Sequence, residues 1–285
     1  MITPLIQLSQ SHLRLLTLCP RKYQYNFLDQ FFIPTTKSQT YVQEELGKRF
    51  HLVMQQHWMD LDIEPILKDS PEIQQRFEAF KQHPPNLIAE KNSKDAQHLT
   101  EHRRRIKFED YLLVGIFDLL ILTPDSGQIV DWKSYIKPRN TKPIQKSWQT
   151  KLYPFLLAET SQLSPEQISM TYWFAQTHEP NDSHTITFNY STAQHQKIKQ
   201  TLHKQLKKLT GWMQAYQQSD KTNRKDFPQV KESAGICDPA QNPCLYRYRC
   251  QRSQTSSSQT DWDKLLDLDA IPPFSLETDR KSEPR

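Results

Sequence analysis

The stretch Leu112–Lys133, LLVGIFDLLILTPDSGQIVDWK, has the pattern of two β-strands joined by a tight turn. Leu112, Leu113, Val114, Ile116, Phe117 and Leu119 to Leu122 form a nearly continuous apolar run. Pro124-Asp125-Ser126-Gly127 supplies turn chemistry, and Gln128-Ile129-Val130 opens the return strand. Asp118 lies inside the apolar run, and Asp131 and Lys133 lie at the end of the return strand. Side chains alternate along a strand, so Asp131 and Lys133 share a face.

A carboxylate in an apolar strand is costly unless something pairs with it. Two neighbouring carboxylates raise each other's pKa. A divalent cation between them removes that conflict, and Mg²⁺ is held in this way by one or two carboxylates together with waters and phosphate oxygens. A lysine beside such an ion can orient a water or stabilise charge on a phosphate. Metal-assisted phosphodiester hydrolysis is the chemistry this set suits. Taken alone, Asp-x-Lys is common and more often marks an edge hairpin closed by a salt bridge.

Working outward, the 285 residues suffice for one large domain with a sizeable core. Glycine is scarce, at five, and two of the five, Gly115 and Gly127, fall in the central hairpin. The net charge is +5; Gln251–Arg285 holds five Lys/Arg and seven Asp/Glu, so the preceding 250 residues carry +7. That surplus suits a polyanionic partner. No apolar run approaches the length of a membrane span, and the N-terminus lacks a signal-peptide pattern; a soluble, cytoplasmic protein with no membrane partner is expected.

Upstream, Ser9 caps a short helix carrying Leu13, Leu15 and Leu16, and Pro20 opens a second over RKYQYNFLDQFF. Arg21 in that segment mixes charge with the stacking surface of Tyr23 and Tyr25. Tyr41–Met59 has helical spacing; Gly47 lies one turn before His51, a candidate metal ligand. Ser70-Pro71 starts a helix to Gln82, and residues 83–97 form a loop. From His98 a strand carries Arg103, Arg104, Arg105 and Lys107, either a solvated edge or a phosphate-facing strip. Downstream, WQTKLYPFLLAE, 148–159, is helical, with Gln149 and Tyr153 on one face and Pro154 predicting a kink. Strands follow at 168–175 and 185–190, then a long helix from Ser191 to Gln218 with a lysine-rich outer side. The Ser-rich segment after Cys250 is expected to be a disordered tail, 253–285, with Trp262–Leu268 able to form a short amphipathic helix.

The four cysteines are Cys19, Cys237, Cys244 and Cys250, the last three in CDPAQNPCLYRYRC. Four thiolates suit one 4Fe-4S cluster or one Zn²⁺. Either would tie the two ends of a domain spanning 1–252 by closing a loop of over 200 residues.

Several of these motifs occur together in one order: LSQSHLRLLTLCPRKYQY (8–25), GKRFH (47–51), GIFDLL (115–120), VDWK (130–133) and QTKLY (149–153). With the cysteines, the chain resembles the RecB-like branch of the PD-(D/E)XK nuclease superfamily. It is similar in particular to the iron–sulfur members, the CRISPR-associated RecB-like exonucleases and the AddB nuclease domain. The resemblance implies an α/β, restriction-endonuclease-like fold, a mixed central sheet flanked by helices. It implies a Mg²⁺- or Mn²⁺-dependent deoxyribonuclease acting on single strands or ends in DNA repair, recombination or CRISPR-type processing, alongside a separate helicase or pathway partner. By the same resemblance His51, Asp118 and Asp131 hold the metal, Lys133 helps activate water, and Gln149 and Tyr153 support the site and the DNA. Arg21, Arg103, Arg104 and Arg105 are the candidate DNA contacts. Where relatives carry Cys-x2-Cys before the five-residue gap, this chain has six residues between Cys237 and Cys244. A non-catalytic DNA-binding or scaffold member of the same fold is the alternative. A small-substrate metalloenzyme fits the basic surplus and the motif order least.

Overall fold

The computed structural model describes residues 5–31, 39–179, 181–219, 226–237, 244–247 and 249–252. The six residues between Cys237 and Cys244, the tail from residue 253 and the Trp262–Leu268 segment lie outside them. Among the described residues, six strands form one mixed sheet: β1 (Ile6–Leu8), β2 (Gln97–Phe108), β3 (Tyr111–Leu122), β4 (Gly127–Ile136), β5 (Ile168–Gln176) and β6 (Thr185–Asn189). The order is β1-β3-β4-β5-β6, with β2 also beside β3. Pairings β1–β3 and β4–β5 are parallel, the others antiparallel.

β3 is the pivot. Along one edge it pairs with β2 from Phe108↔Tyr111 to Gln97↔Leu122. Its other edge is shared: Tyr111–Leu113 pair with β1, and Leu119–Leu122 pair with Val130–Gly127 of β4. The β3–β4 ladder ends at Leu119↔Val130, one step before Asp118 and Asp131 would face each other. The expected hairpin is therefore present, and it opens at its two carboxylates.

Helices cover both faces. α1 (Gln10–Leu18), α7 (Trp148–Glu159) and α8 (Thr192–Gln218) share a core with Leu113, Phe117, Leu120, Ile129 and Met170 of the sheet. α3 (Gln39–Trp58) and α5 (Pro71–Gln82) share a second core with Leu119, Ile121, Val130, Trp132 and Trp173. Phe117 and Leu120 face the α7 side while Leu119 and Ile121 face the α3 side, so the alternation of β3 slips at Asp118. Three short helices complete the set: α2 (Pro20–Tyr23), α4 (Glu64–Lys68) and α6 (Lys142–Lys146).

One expectation is corrected. The single helix predicted from Arg21 to Phe32 is α2 followed by a wider π-turn, Gln24–Leu28. Buried Gln24 explains the change: its amide donates to Asp29 Oδ2 (3.1 Å) and accepts from the Phe227 amide (3.3 Å), a side-chain network that an ordinary turn does not carry. α7 spans Trp148–Glu159 as expected, with Pro154 inside it. A helix-interior proline costs about 3 kcal/mol. Leu152, Phe155, Leu156 and Leu157 are fully buried around it; at about 1.5–3 kcal/mol each, their burial outweighs that cost.

Gly115 sets how closely α7 lies on β3. A Cβ there would stand 2.8 Å from Leu156 Cδ1 and 3.2 Å from Tyr153 Cδ1, both on α7. Gly115→Ala should therefore destabilise the protein by about 1–3 kcal/mol in urea unfolding. It should also lower any activity that depends on α7. Gly211→Ala, in the exposed middle of α8 with open space around its Cα, should be neutral or stabilising by up to about 1 kcal/mol. Equal effects of the two substitutions would contradict the close approach at Gly115.

Candidate active site

The site is built where β3 and β4 part. Freed from the ladder, the Trp132 amide donates instead to Asp118 Oδ2 at 2.8 Å. His51, on α3, places Nδ1 3.3 Å from the same oxygen. Gly47, one turn earlier, passes close to Ser134 of β4: a Cβ on it would meet Ser134 Oγ at 3.3 Å. The small residue thus lets α3 carry His51 down to the open hairpin.

A third group joins them. Thr100↔Leu119 and His102↔Phe117 are paired, so Glu101 between them stands opposite Asp118. Its backbone is left-handed (φ +46°), a conformation uncommon for any residue but glycine. Ligand atoms of His51, Glu101 and Asp118 all lie within 4.8 Å of one another. The sequence reasoning missed Glu101, which sits in the polar run TEHRRR. A signal was present: a two-residue turn at Glu109-Asp110 places residues 101 and 118 across from each other.

Asp131 reaches the site from the other side. Together with Lys133 it faces α7. Asp131 Oδ1 accepts from Gln149 Nε2, and Gln149 Oε1 accepts from Lys133 Nζ at 3.1 Å. Lys133 Nζ lies 3.0 Å from the buried Asp131 Oδ2 as an ion pair. The Lys133 ammonium also stands 5.6 Å from the centre of the Tyr172 ring. Tyr153, one turn after Gln149, is buried against Phe117. Asp131 is thus outside the compact His51–Glu101–Asp118 group and adjoins it across the opened strands.

The electrostatics follow from crowding. Burial pushes the Asp131 carboxyl up to about 7, and Asp118 adds to the shift, against the pull of Lys133 and His51. Desolvation within the cleft, then Asp118 and Asp131, push Glu101 up to about 7 although its side chain reaches solvent. Burial alone would lower the His51 pKa and raise that of Asp118; their contact reverses both, so His51 rises to about 9 and Asp118 falls below the usual carboxylate value. Burial, then Asp131 and Asp118, hold the Tyr153 hydroxyl neutral. Three carboxylates facing one imidazole and one ammonium leave unmet demand for positive charge. The clustered donors of His51, Glu101 and Asp118, with Asp131 beside them, fit a divalent cation.

The remaining candidates are placed differently. Arg21 is buried: its Nε donates to the Phe227 carbonyl at 2.6 Å, so it ties the N-terminal helices to the C-terminal segment. Arg104 turns toward α7 and donates to the Thr160 carbonyl at its C-terminus (2.8 Å). Both guanidinium groups thus donate to backbone carbonyls. Arg103, Arg105 and Lys107 alternate with them on β2 and are exposed. Cys19 is buried at the α1–α2 junction, and Cys237, Cys244 and Cys250 are partly buried. Burial and the neighbouring Cys244 and Cys19 push the Cys250 thiol up, and burial with Cys244, Cys19 and Cys250 does the same at Cys237, so the four thiols share one neighbourhood. No described helix is long and apolar enough to cross a membrane.

Among solved structures, the chain is similar to a "Putative exonuclease" from Eubacterium rectale, at 10% identity, TM-score 0.43, over 71% of this chain and 81% of that one. It is also similar to SSO0001, at 12% identity, TM-score 0.33, over 73% of this chain and 78% of that one. No curated protein matches the chain. The family model described as the PD-(D/E)XK nuclease superfamily matches residues 7–251, and with its mixed sheet flanked by helices the chain belongs to that superfamily.

Proposed function

We propose that this protein is a divalent-metal-dependent deoxyribonuclease that hydrolyses single strands or strand ends. The observation that carries this is the convergence of His51, Glu101, Asp118, Asp131 and Lys133 where β3 and β4 separate. His51, Glu101 and Asp118 would hold Mg²⁺ or Mn²⁺ from the α3 side, and Asp131 from the α7 side. A cation held there supplies charge neutralisation for the scissile phosphate. The chain's own groups do the rest. Lys133, oriented by Asp131 and Gln149, presents its ammonium to the water and the phosphate oxygens. Tyr153 and the buried face of α7 keep Gln149 in place. Arg103, Arg105 and Lys107 extend from Glu101 along the same exposed face of β2 and offer contacts to successive phosphates. The order of motifs supports a role in repair, recombination or CRISPR-type processing beside a helicase or pathway partner, in the cytoplasm. The shared neighbourhood of Cys19, Cys237, Cys244 and Cys250 supports a 4Fe-4S cluster, with Zn²⁺ as the alternative, closing a domain over residues 1–252.

Asp118→Ala and Lys133→Ala should each lower cleavage of labelled single-stranded DNA by at least about 10²–10³-fold without loss of the folded state by circular dichroism. Glu101→Gln should weaken metal dependence, raising the Mn²⁺ concentration needed for half-maximal rate. Full activity in Asp118→Ala or Lys133→Ala would overturn the assignment.

The raised carboxyls give a pH signature. Below about 7 Asp131 and Glu101 hold protons that a cation must displace; above it they are already ionised. His51, raised to about 9, must also give up its proton to ligate, so metal affinity should rise as pH increases through 7 and go on rising toward about 9, with proton release on binding at pH 6.5. Calorimetry in two buffers of different ionisation enthalpy measures this, and a pH-independent affinity with no proton release would contradict it.

For the cysteines, anaerobically purified protein should be brown, and Cys19→Ala should bleach it and lower the melting temperature. Elemental analysis giving one zinc in a colourless protein would replace the cluster. A colourless, metal-free and fully stable protein would exclude the clasp.

A further inference from the structure

β2 is an exposed margin of the sheet. It pairs with β3 along one edge, and among the described residues no strand pairs with its other edge. It runs for 12 residues, and a free edge of that kind offers a row of backbone donors and acceptors to an extended segment. Beyond Glu101 its two faces differ. Ile106 and Phe108 lie on the α7 side, packed against the core there. Arg103, Arg105 and Lys107 lie on the opposite face and are exposed. Among the described residues none of these three is in a salt bridge. Opposite charges facing each other across paired strands stabilise the pairing, and like charges oppose it. The edge therefore suits a strand that is acidic on one face and apolar on the other, and it disfavours a second β2.

Such a pattern occurs in this chain, at DWDKLLDLD, 261–269. Its aspartates are at 261, 263, 267 and 269, and Trp262, Leu266 and Leu268 are at even positions; Lys264 and Leu265 are the exceptions. Strand alternation collects the four carboxylates on one face and the three apolar side chains on the other. A helix separates them less well. At about 100° per residue Asp269 falls between Leu265 and Trp262, and Asp261 between Leu268 and Leu265. Pro272-Pro273 ends the pattern. Eight residues, up to about 30 Å when extended, join it to Arg252, which makes the encounter intramolecular. We propose that Asp261–Asp269 adds to the free edge of β2 as a further strand, its aspartates facing Arg103, Arg105 and Lys107 and its apolar side chains beside Ile106 and Phe108. The chain's own carboxylates then occupy the strip offered to phosphates, and DNA must displace them. That last consequence rests on the nuclease reading above; the docked strand does not.

The test uses the full chain. Hydrogen exchange without DNA reads the protection of the β2 amides that point away from β3, and anisotropy in EDTA reads binding of a single-stranded oligonucleotide. Two variants are compared with the parent. Asp261→Asn/Asp263→Asn/Asp267→Asn/Asp269→Asn removes the charge. Leu266→Asp/Asp267→Leu/Leu268→Asp/Asp269→Leu keeps composition and net charge but breaks the alternation. In both, those β2 amides should exchange about tenfold faster or more, and DNA should bind about tenfold tighter at low salt. Unchanged β2 exchange in either variant would overturn the docking. Tighter DNA binding in the Asn variant alone would also overturn it, because long-range charge then accounts for the effect. Protection that falls on dilution would place the tail of a second copy on β2 and overturn the intramolecular contact. Faster exchange in both variants with no gain in DNA affinity would sustain the docked strand and overturn its competition with DNA. Absence of metal-dependent cleavage would remove the nuclease assignment and leave the exchange result to decide the docking.

Discussion

The parting of β3 and β4 at Asp118 and Asp131 is the constraint on which the rest of the site depends. Above that point the strands are paired in a regular ladder; below it, they leave a gap in the middle of the sheet. An unpaired backbone amide in such a gap is costly, and Trp132 solves this by donating to the Asp118 carboxylate. One hydrogen bond thus satisfies the opened backbone and aims a metal-binding group. The slip of alternation at Asp118 has the same origin: Asp118 turns toward α3 and His51, while Asp131 and Lys133 turn toward α7 and Gln149. Side chains from both helical layers meet through the gap.

This arrangement is stabilised from outside and unsettled within. Two large cores, one on each face, hold the strands and helices in place. Between them sit three carboxylates, two of which have their pKa raised by burial and then by their neighbours. A site of this kind is poor as a structural ion-pair network and well suited to a hard cation and an anionic substrate. Close approach is what allows it: glycine at 47 lets α3 near β4, and glycine at 115 lets α7 lie on β3.

Much of this was legible in the sequence. The apolar run with its Pro-Asp-Ser-Gly turn gave the hairpin, helical spacing placed His51, Gln149 and Tyr153, and the carboxylate pair with Lys133 pointed to the chemistry. Glu101 was hidden because a carboxylate among His and Arg residues has the look of a solvated edge; only the strand register gives it meaning. The Arg103–Arg105 run looked uniform by composition, yet strand alternation sends Arg104 to the α7 terminus and its neighbours to solvent. The contacts of Arg21 and Gln24 with Phe227, some 200 residues away, lie beyond any local pattern.

The most direct measurement is a crystal structure of the protein soaked with Mn²⁺, with the ion located by its anomalous scattering. The central claim is that the opened hairpin is a metal site shared by both helical layers. It predicts an anomalous peak in the gap between Asp118 and Asp131, within ligating distance of both carboxylates and of His51, with Glu101 turned toward it. An ion bound elsewhere, or none in the gap at saturating Mn²⁺ and a pH above 8, would contradict it.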